Sequence, residues 1–155
     1  ALQKGVLLTT KADNKVNSMT VSWGMLGFEW GEPIFITFVR DSRFSKQLLD
    51  KNGEFTINIP ISDIDGNITK VCGSKSGRDT DKLGELNLTV EEPDIISVPG
   101  IKELPLTLEC KVMYTQKQDI NVLSQNDREK FYPESAGPDL HTAYYGKIVS
   151  AYIIE

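Results

Sequence analysis

The 155-residue chain predicts a mainly β fold, a barrel of about six strands that carries two or more short helices. Three observations lead there. Apolar residues recur with a period of two in several separate stretches, and helical spacing shows in only two. With 39% hydrophobic residues at this length, the chain supplies one core and not two, so residues 1–155 are expected to form one domain.

Residues 5–10 and 18–27 read as the first two strands, with Asn14-Lys15 in a polar turn that joins them as a hairpin. In the second, "NSMTVSWG" sets Ser18, Thr20 and Ser22 on one face and Met19, Val21 and Trp23 on the other, which assigns Trp23 to the core. "PIFITFV" (33–39) is apolar on nearly both faces, as in a strand covered on both sides. "SRFSKQLLDKNG" then reads as a helix, with Phe44 and Leu48 at i,i+4 and Gly53 as its C-terminal stop. "EFTINIP" (54–60) returns to strand alternation through Phe55, Ile57 and Ile59.

The second helix is expected to start at Ser62, in a capping box with Asp65, and to run through Ile64, Ile68, Val71 and Cys72 to Gly73. The strongest period-two signal is "LPLTLECKVMY", which aligns Leu104, Leu106, Leu108, Cys110, Val112 and Tyr114 on one face. A last strand covers roughly 144–154. Before it, residues 118–143 form a long polar excursion containing Pro133, Gly137 and Pro138, and segments of this length in compact domains are usually functional or mobile.

Composition narrows the function. Seventeen basic against twenty-two acidic residues give a net charge of -5, and no basic run is long enough to track a phosphodiester backbone, so no nucleic acid partner is expected. The early apolar run "GVLL" is too short for a signal-peptide core or a membrane span; a cytoplasmic location without a membrane partner is the expectation. Cys72 and Cys110 lack CxxC spacing and read as reduced, buried thiols. With His141 as the one histidine, a multi-histidine metal site cannot be built, and no metal is expected. GxGxxG and GxxxxGK[ST] are absent, and "GSKSG" has Lys75 where a nucleophile elbow has serine.

Two clusters suit anions. In "VRDSRFSKQ", Arg40, Ser42, Arg43 and Ser45 gather where a strand gives way to a helix, a natural phosphate seat; the competing reading is a capped helix start with two solvated arginines. "CGSKSGRDTDK" groups Ser74, Lys75, Ser76, Arg78 and Lys82 around glycines, and its competing reading is an ordinary polar loop.

Taken in order, "NSMTVSWG", "RDSRFSKQLLDKNGEFTINIP", "CGSKSGRDTDK" and "HTAYYGKIV" resemble the flavin reductase-like family of FMN-binding split barrels, and most closely its flavoredoxin-like branch, from about Lys4 to Val149. The resemblance implies a six-stranded Greek-key split barrel, a homodimer, and FMN bound near the subunit interface. By correspondence, Asn17, Ser18, Met19, Thr20 and Ser22 face the flavin, while Arg40, Ser42, Arg43 and Ser45 hold its phosphate. Ser76, Gly77 and Arg78 match a second flavin-contacting loop, in which Lys75 or Arg78 would offset charge at the N1/O2 end of the reduced ring. His141 stands where many members carry "GDH" beside the nicotinamide, but here "PDL" precedes it; it is the candidate catalytic residue, with an exposed histidine of no role as the alternative.

The activity so implied passes electrons from NADH or NADPH through FMN to free flavin or another acceptor. Two alternatives stand beside it: an FMN electron carrier that exchanges electrons with a redox protein and has no nicotinamide site of its own, and a non-redox barrel for another phosphorylated molecule.

Overall fold

The computed structural model describes residues 1–155. Strands β1 (Val6–Ala12) and β2 (Lys15–Val21) form a hairpin through Asp13 and Asn14, at φ 51° and 60°. Asp and Asn tolerate this left-handed pair, and its twist matches that of the strands. The strand expected over 18–27 proves to be two, because β2 ends at Val21 and β3 (Gly24–Glu29) begins after Ser22 and Trp23. At this break the chain leaves β1 and crosses to β4 (Glu32–Arg40), with Gly24 opposite Thr37. Alternation alone records neither event, since it does not reveal which neighbour a strand pairs with.

Helix α1 (Phe44–Lys51) follows, then β5 (Glu54–Ile59). The helix ends at Lys51, just ahead of the expected stop at Gly53: Asn52 is its C-cap, in extended conformation, and returns its N–H to the Leu48 carbonyl. Helix α2 (Gly66–Ser74) starts four residues after the expected Ser62, because the Asp65 carboxylate is itself the N-cap and accepts from the Asn67 N–H at 2.9 Å. A short helix α3 (Lys82–Glu85) and two-residue strands β6 (Val90–Glu91) and β7 (Gly100–Ile101) lead to β8 (Leu106–Lys117). The polar excursion contains helix α4 (Gln125–Phe131), capped by Ser124, and β9 (His141–Ile153) begins three residues earlier than expected.

Seven strands form one antiparallel sheet in the order β2-β1-β5-β8-β9-β4-β3, and β6 pairs with β7 apart from it. Val6, Met19, Phe35, Val39, Phe55, Leu108, Cys110 and Tyr144, from six different strands, meet in one buried cluster. A sheet whose inner residues all touch must curl, yet β2 and β3 lie at opposite ends of the order and are not bonded to each other. The barrel is therefore split. Gly146 permits the curl, because a Cβ there would lie 2.4 Å from the Phe55 ring.

The single face expected along "LPLTLECKVMY" breaks. Leu104, Leu108 and Cys110 are buried, but the extra residue Met113 between Val112 and Tyr114 resets the alternation and leaves Tyr114 exposed beside Trp30 and Tyr145. On the other side of the sheet a polar layer is buried and paired. The Asn58 amide donates to the Thr9 and Thr56 hydroxyls and its carbonyl accepts from the Ile101 N–H, while the Glu109 carboxylate accepts from the N–H groups of Asp94, Ile95 and Ile96 and from the Tyr152 hydroxyl. Cys72 and Cys110 are buried free thiols, and no helix is long and apolar enough to cross a membrane.

Candidate functional site

Two cavities, of about 200 and 140 Å³, adjoin at the mouth of the split and share Met19 and Arg43 as walls. Together they make one groove. Its wider part runs along Met19–Trp23 and is bounded by Phe38, Arg40 and His141; its narrower part lies between the start of α1 and the loop 74–78.

β2 is an edge strand, bonded only to β1, so alternate backbone N–H and C=O groups along it have no strand partner. The consecutive residues Met19 to Trp23 line the wider part, which opens that free edge to a ligand. The expected row of hydroxyls does not do so. Ser18 has no exposed surface, and its hydroxyl is paired with that of Thr9 at 2.8 Å. The Thr20 hydroxyl donates to the Thr69 carbonyl at 2.7 Å, beneath α2. Ser22 alone of the three is without a protein partner and lines the groove.

Trp23 is not core. It is 46% exposed, because the break at Ser22 ends the alternation that pointed it inward. Its indole lies 5.2 Å from the His141 ring and meets Phe131 edge-on at 5.5 Å. His141 is buried, with Nδ1 2.6 Å from the Tyr132 hydroxyl, so it is not the exposed histidine of the alternative reading. Burial, reinforced by Arg40 and Arg43 against the opposing Asp139 and Asp41, lowers its pKa to about 4. At that value the imidazole is neutral at pH 7 and meets Tyr132 as a hydrogen-bond partner.

In the narrower part the two cation-bearing clusters meet across Asn17. Its amide donates to the Ser45 hydroxyl at 2.9 Å, and Gly77 packs so tightly on it that a Cβ would lie 2.0 Å from Oδ1. Arg43, at the N-cap of α1, donates to the Gly73 carbonyl, and the first turn of the helix has no side-chain cap. Arg78 lies over the Phe44 ring. Lys75 is bound to the Glu85 carboxylate, so its charge is already countered. Ser76 and Gly77 complete the loop wall.

Arg40 and Ser42 have other work. The Arg40 guanidinium donates to the Asp139 carbonyl at 2.8 Å and the Phe131 carbonyl at 3.1 Å, over the Tyr132 ring, and Ser42 donates through its N–H and hydroxyl to the Asp139 carboxylate. Both latch the excursion 118–143 across the end of β4. Sequence reasoning missed Phe131, Tyr132 and Asp139, since packing around an irregular segment leaves no periodic signal, and Phe38, because a strand apolar on both faces does not show which face borders a groove. Lys82, also a wall of the narrower part, lay within a recognised cluster, but no spacing marked it as buried.

The groove thus offers a free strand edge beside aromatic rings at one end and uncountered cations beside hydroxyls and a helix start at the other. That donor set fits a planar ring carrying a phosphorylated chain. Residues 3–155 match the family described as "Flavin reductase like domain". The flavoredoxin structure from Methanosarcina acetivorans aligns with a TM-score of 0.73 at 25% identity, covering 97% of this chain and 68% of that one. The FMN-binding protein from Thermus thermophilus aligns with a TM-score of 0.68 at 18% identity, covering 96% and 69%. An uncharacterised protein of Archaeoglobus fulgidus is 30% identical over 99 residues, 64% of this chain; the match spans 55% of that relative's length.

Proposed function

Because the chain belongs to the flavin reductase-like family, we propose that it is an FMN-dependent oxidoreductase that passes electrons from NADH or NADPH to free flavin or another acceptor. Bound FMN would supply the redox chemistry, as a ring that takes up two electrons together and can release them singly. The chain's own residues do the rest. The free edge of β2 from Met19 to Val21 and the backbone that continues it through Ser22 pair with the polar rim of the ring, Trp23 and Phe38 exclude water, and Arg43, Ser45, Ser76, Gly77 and Arg78 hold the phosphate. Lys75 and Arg78 line the end away from His141, so neither belongs to the N1/O2 edge; Arg78 faces the phosphate, while Lys75 is held by Glu85. His141, fixed by Tyr132 beside Trp23, positions the nicotinamide.

The observation that carries this reading is the pairing of the aromatic slot with uncountered cations in one groove. The expected homodimer belongs to it as well: β3 is the other free edge of the sheet and exposes Met25, Leu26 and Phe28, with Trp30 exposed in the turn that follows. The two buried free thiols suit a reducing compartment, and we place the reaction in the cytoplasm on that ground.

The test is anaerobic mixing of the FMN-loaded protein with excess NADH or NADPH. Bleaching of the flavin within seconds, with turnover once free flavin is added, is the expected result. A carrier reading has its own support in the latched excursion, which covers the His141 side, and in the likeness to flavoredoxin. It would win if neither nicotinamide bleached the flavin while a reduced ferredoxin-like protein did.

A further inference from the structure

Tyr132 closes helix α4 on the excursion, and its hydroxyl reaches across to His141 at the start of β9. Two contacts compete for the one phenolic hydrogen: His141 Nδ1 at 2.6 Å and Gln118 Oε1 at 3.3 Å. An O–H donor closes to roughly 2.5–3.0 Å of its acceptor, whereas an N–H donor stops at roughly 2.7 Å. The shorter contact is of the first kind, so the phenol donates and Nδ1 accepts. The longer one then reverses, because half a turn of the Gln118 amide sets its NH₂ on the phenol oxygen.

The surroundings agree with that direction. Burial holds the Tyr132 phenol above its ordinary pKa, against the opposing charge of Arg40 over its ring, so the hydrogen is in place at pH 7. The same Arg40 binds the Phe131 carbonyl, one residue before Tyr132, and so places the phenol from the frame of the barrel. A neutral imidazole that accepts at Nδ1 must carry its proton on Nε2. Nε2 has no protein partner, and it is not sealed in, because the Thr37 hydroxyl is the sole buried polar side-chain atom left unpaired. His141 bounds the wider part of the groove, and the open nitrogen faces that space.

We infer that Tyr132 is a positioning residue: it locks His141 in the Nε2–H form, so that the groove is offered a neutral N–H donor for a carbonyl oxygen, which in a nicotinamide is that of the carboxamide. This deepens the reading of His141 and rests on it for the identity of the nicotinamide. A Tyr132 of structural use alone would fasten the excursion to the barrel and leave the imidazole proton on either nitrogen.

His141 is the one histidine of the chain, so nitrogen-15 NMR of histidine side chains reads a single imidazole. At pH 7 the flavin-free parent should show a protonated Nε2 and a bare, hydrogen-bonded Nδ1. Tyr132→Phe keeps the ring and removes the donor. In that variant the Nδ1 resonance should shift and the Nδ1–H form should appear, while FMN affinity stays the same and anaerobic bleaching by NADH or NADPH slows about tenfold or more. In a His141→Ala background the same change should slow bleaching no further, since Tyr132 acts through the imidazole. A proton on Nδ1 in the parent, histidine signals unmoved by Tyr132→Phe, or an added loss in the His141→Ala background would each overturn the assignment.

Failure of the nicotinamide reading shows separately. If neither nicotinamide bleached the parent, the carbonyl would belong to another molecule, and an Nδ1–H form that appears only in Tyr132→Phe would still establish Tyr132 as the residue that sets the imidazole. Identical histidine spectra in the two proteins overturn that role whatever the nicotinamides do.

Discussion

Asn17 on β2 donates its side-chain amide to the Ser45 hydroxyl on α1 at 2.9 Å, and both residues are buried. That bond joins the edge of the barrel to the start of the helix, and the other face of the same amide receives Gly77. Two segments some thirty residues apart in the chain become opposite walls of one cavity through this side chain.

Gly77→Ala should therefore act on the groove before it acts on the fold. The added methyl would lie 2.0 Å from the Asn17 Oδ1, and the loop, held at the surface, can retreat only by opening the cavity. FMN affinity should fall about tenfold or more while the far-ultraviolet circular dichroism stays the same. Parental affinity in the variant would mean that the loop wall is not part of the binding site.

The depressed pKa of His141 makes a pH prediction. A base that is harder to protonate in the folded state contributes stability that is complete above its unfolded pKa of about 6.5 and falls away as the pH drops towards its folded value of about 4. Across that window the loss attributable to His141 should approach roughly 3 kcal/mol. Urea unfolding at pH 7 and pH 4.5 checks it: His141→Gln should lose less stability over the interval than the parent. Equal losses in the two proteins would show that the imidazole titrates freely.

Phe28, 84% exposed on the edge strand β3, is the most exposed aromatic of the apolar patch. Phe28→Glu should leave the barrel folded and shift the mass seen by light scattering at micromolar concentration from dimer to monomer, because a charge at the centre of an apolar contact is desolvated without a partner. A parent chain that already scatters as a monomer would remove the proposed interface.

Glu109 is fully buried, and its carboxylate receives three backbone N–H groups and the Tyr152 hydroxyl. Glu109→Gln would turn an NH₂ group toward some of those donors, at a cost of roughly 2–4 kcal/mol in chemical unfolding. A loss below 0.5 kcal/mol, on the order of a surface substitution, would contradict the role assigned to this carboxylate in holding residues 94–96 against the sheet.

The sequence by itself determined the β class, the approximate place of β1, β4, β5, β8 and β9 and of the first helix, though it merged β2 and β3, because a two-residue period and an i,i+4 pair are local consequences of how a backbone directs side chains. It also determined which segments carry cations, and the order of those segments was enough to resemble a family. It could not say that Ser18 faces a buried polar layer, that Trp23 escapes the core, that Gly66 and not Ser62 begins α2, or that Arg40 and Ser42 hold Asp139. Those outcomes depend on which strand lies beside which and on what an irregular segment packs against, and contacts between residues distant in sequence leave no period to read. Only the tertiary structure, by curling the sheet until Asn17 met both Ser45 and Gly77, turned two polar loops into the walls of one cavity with a buried lysine among them.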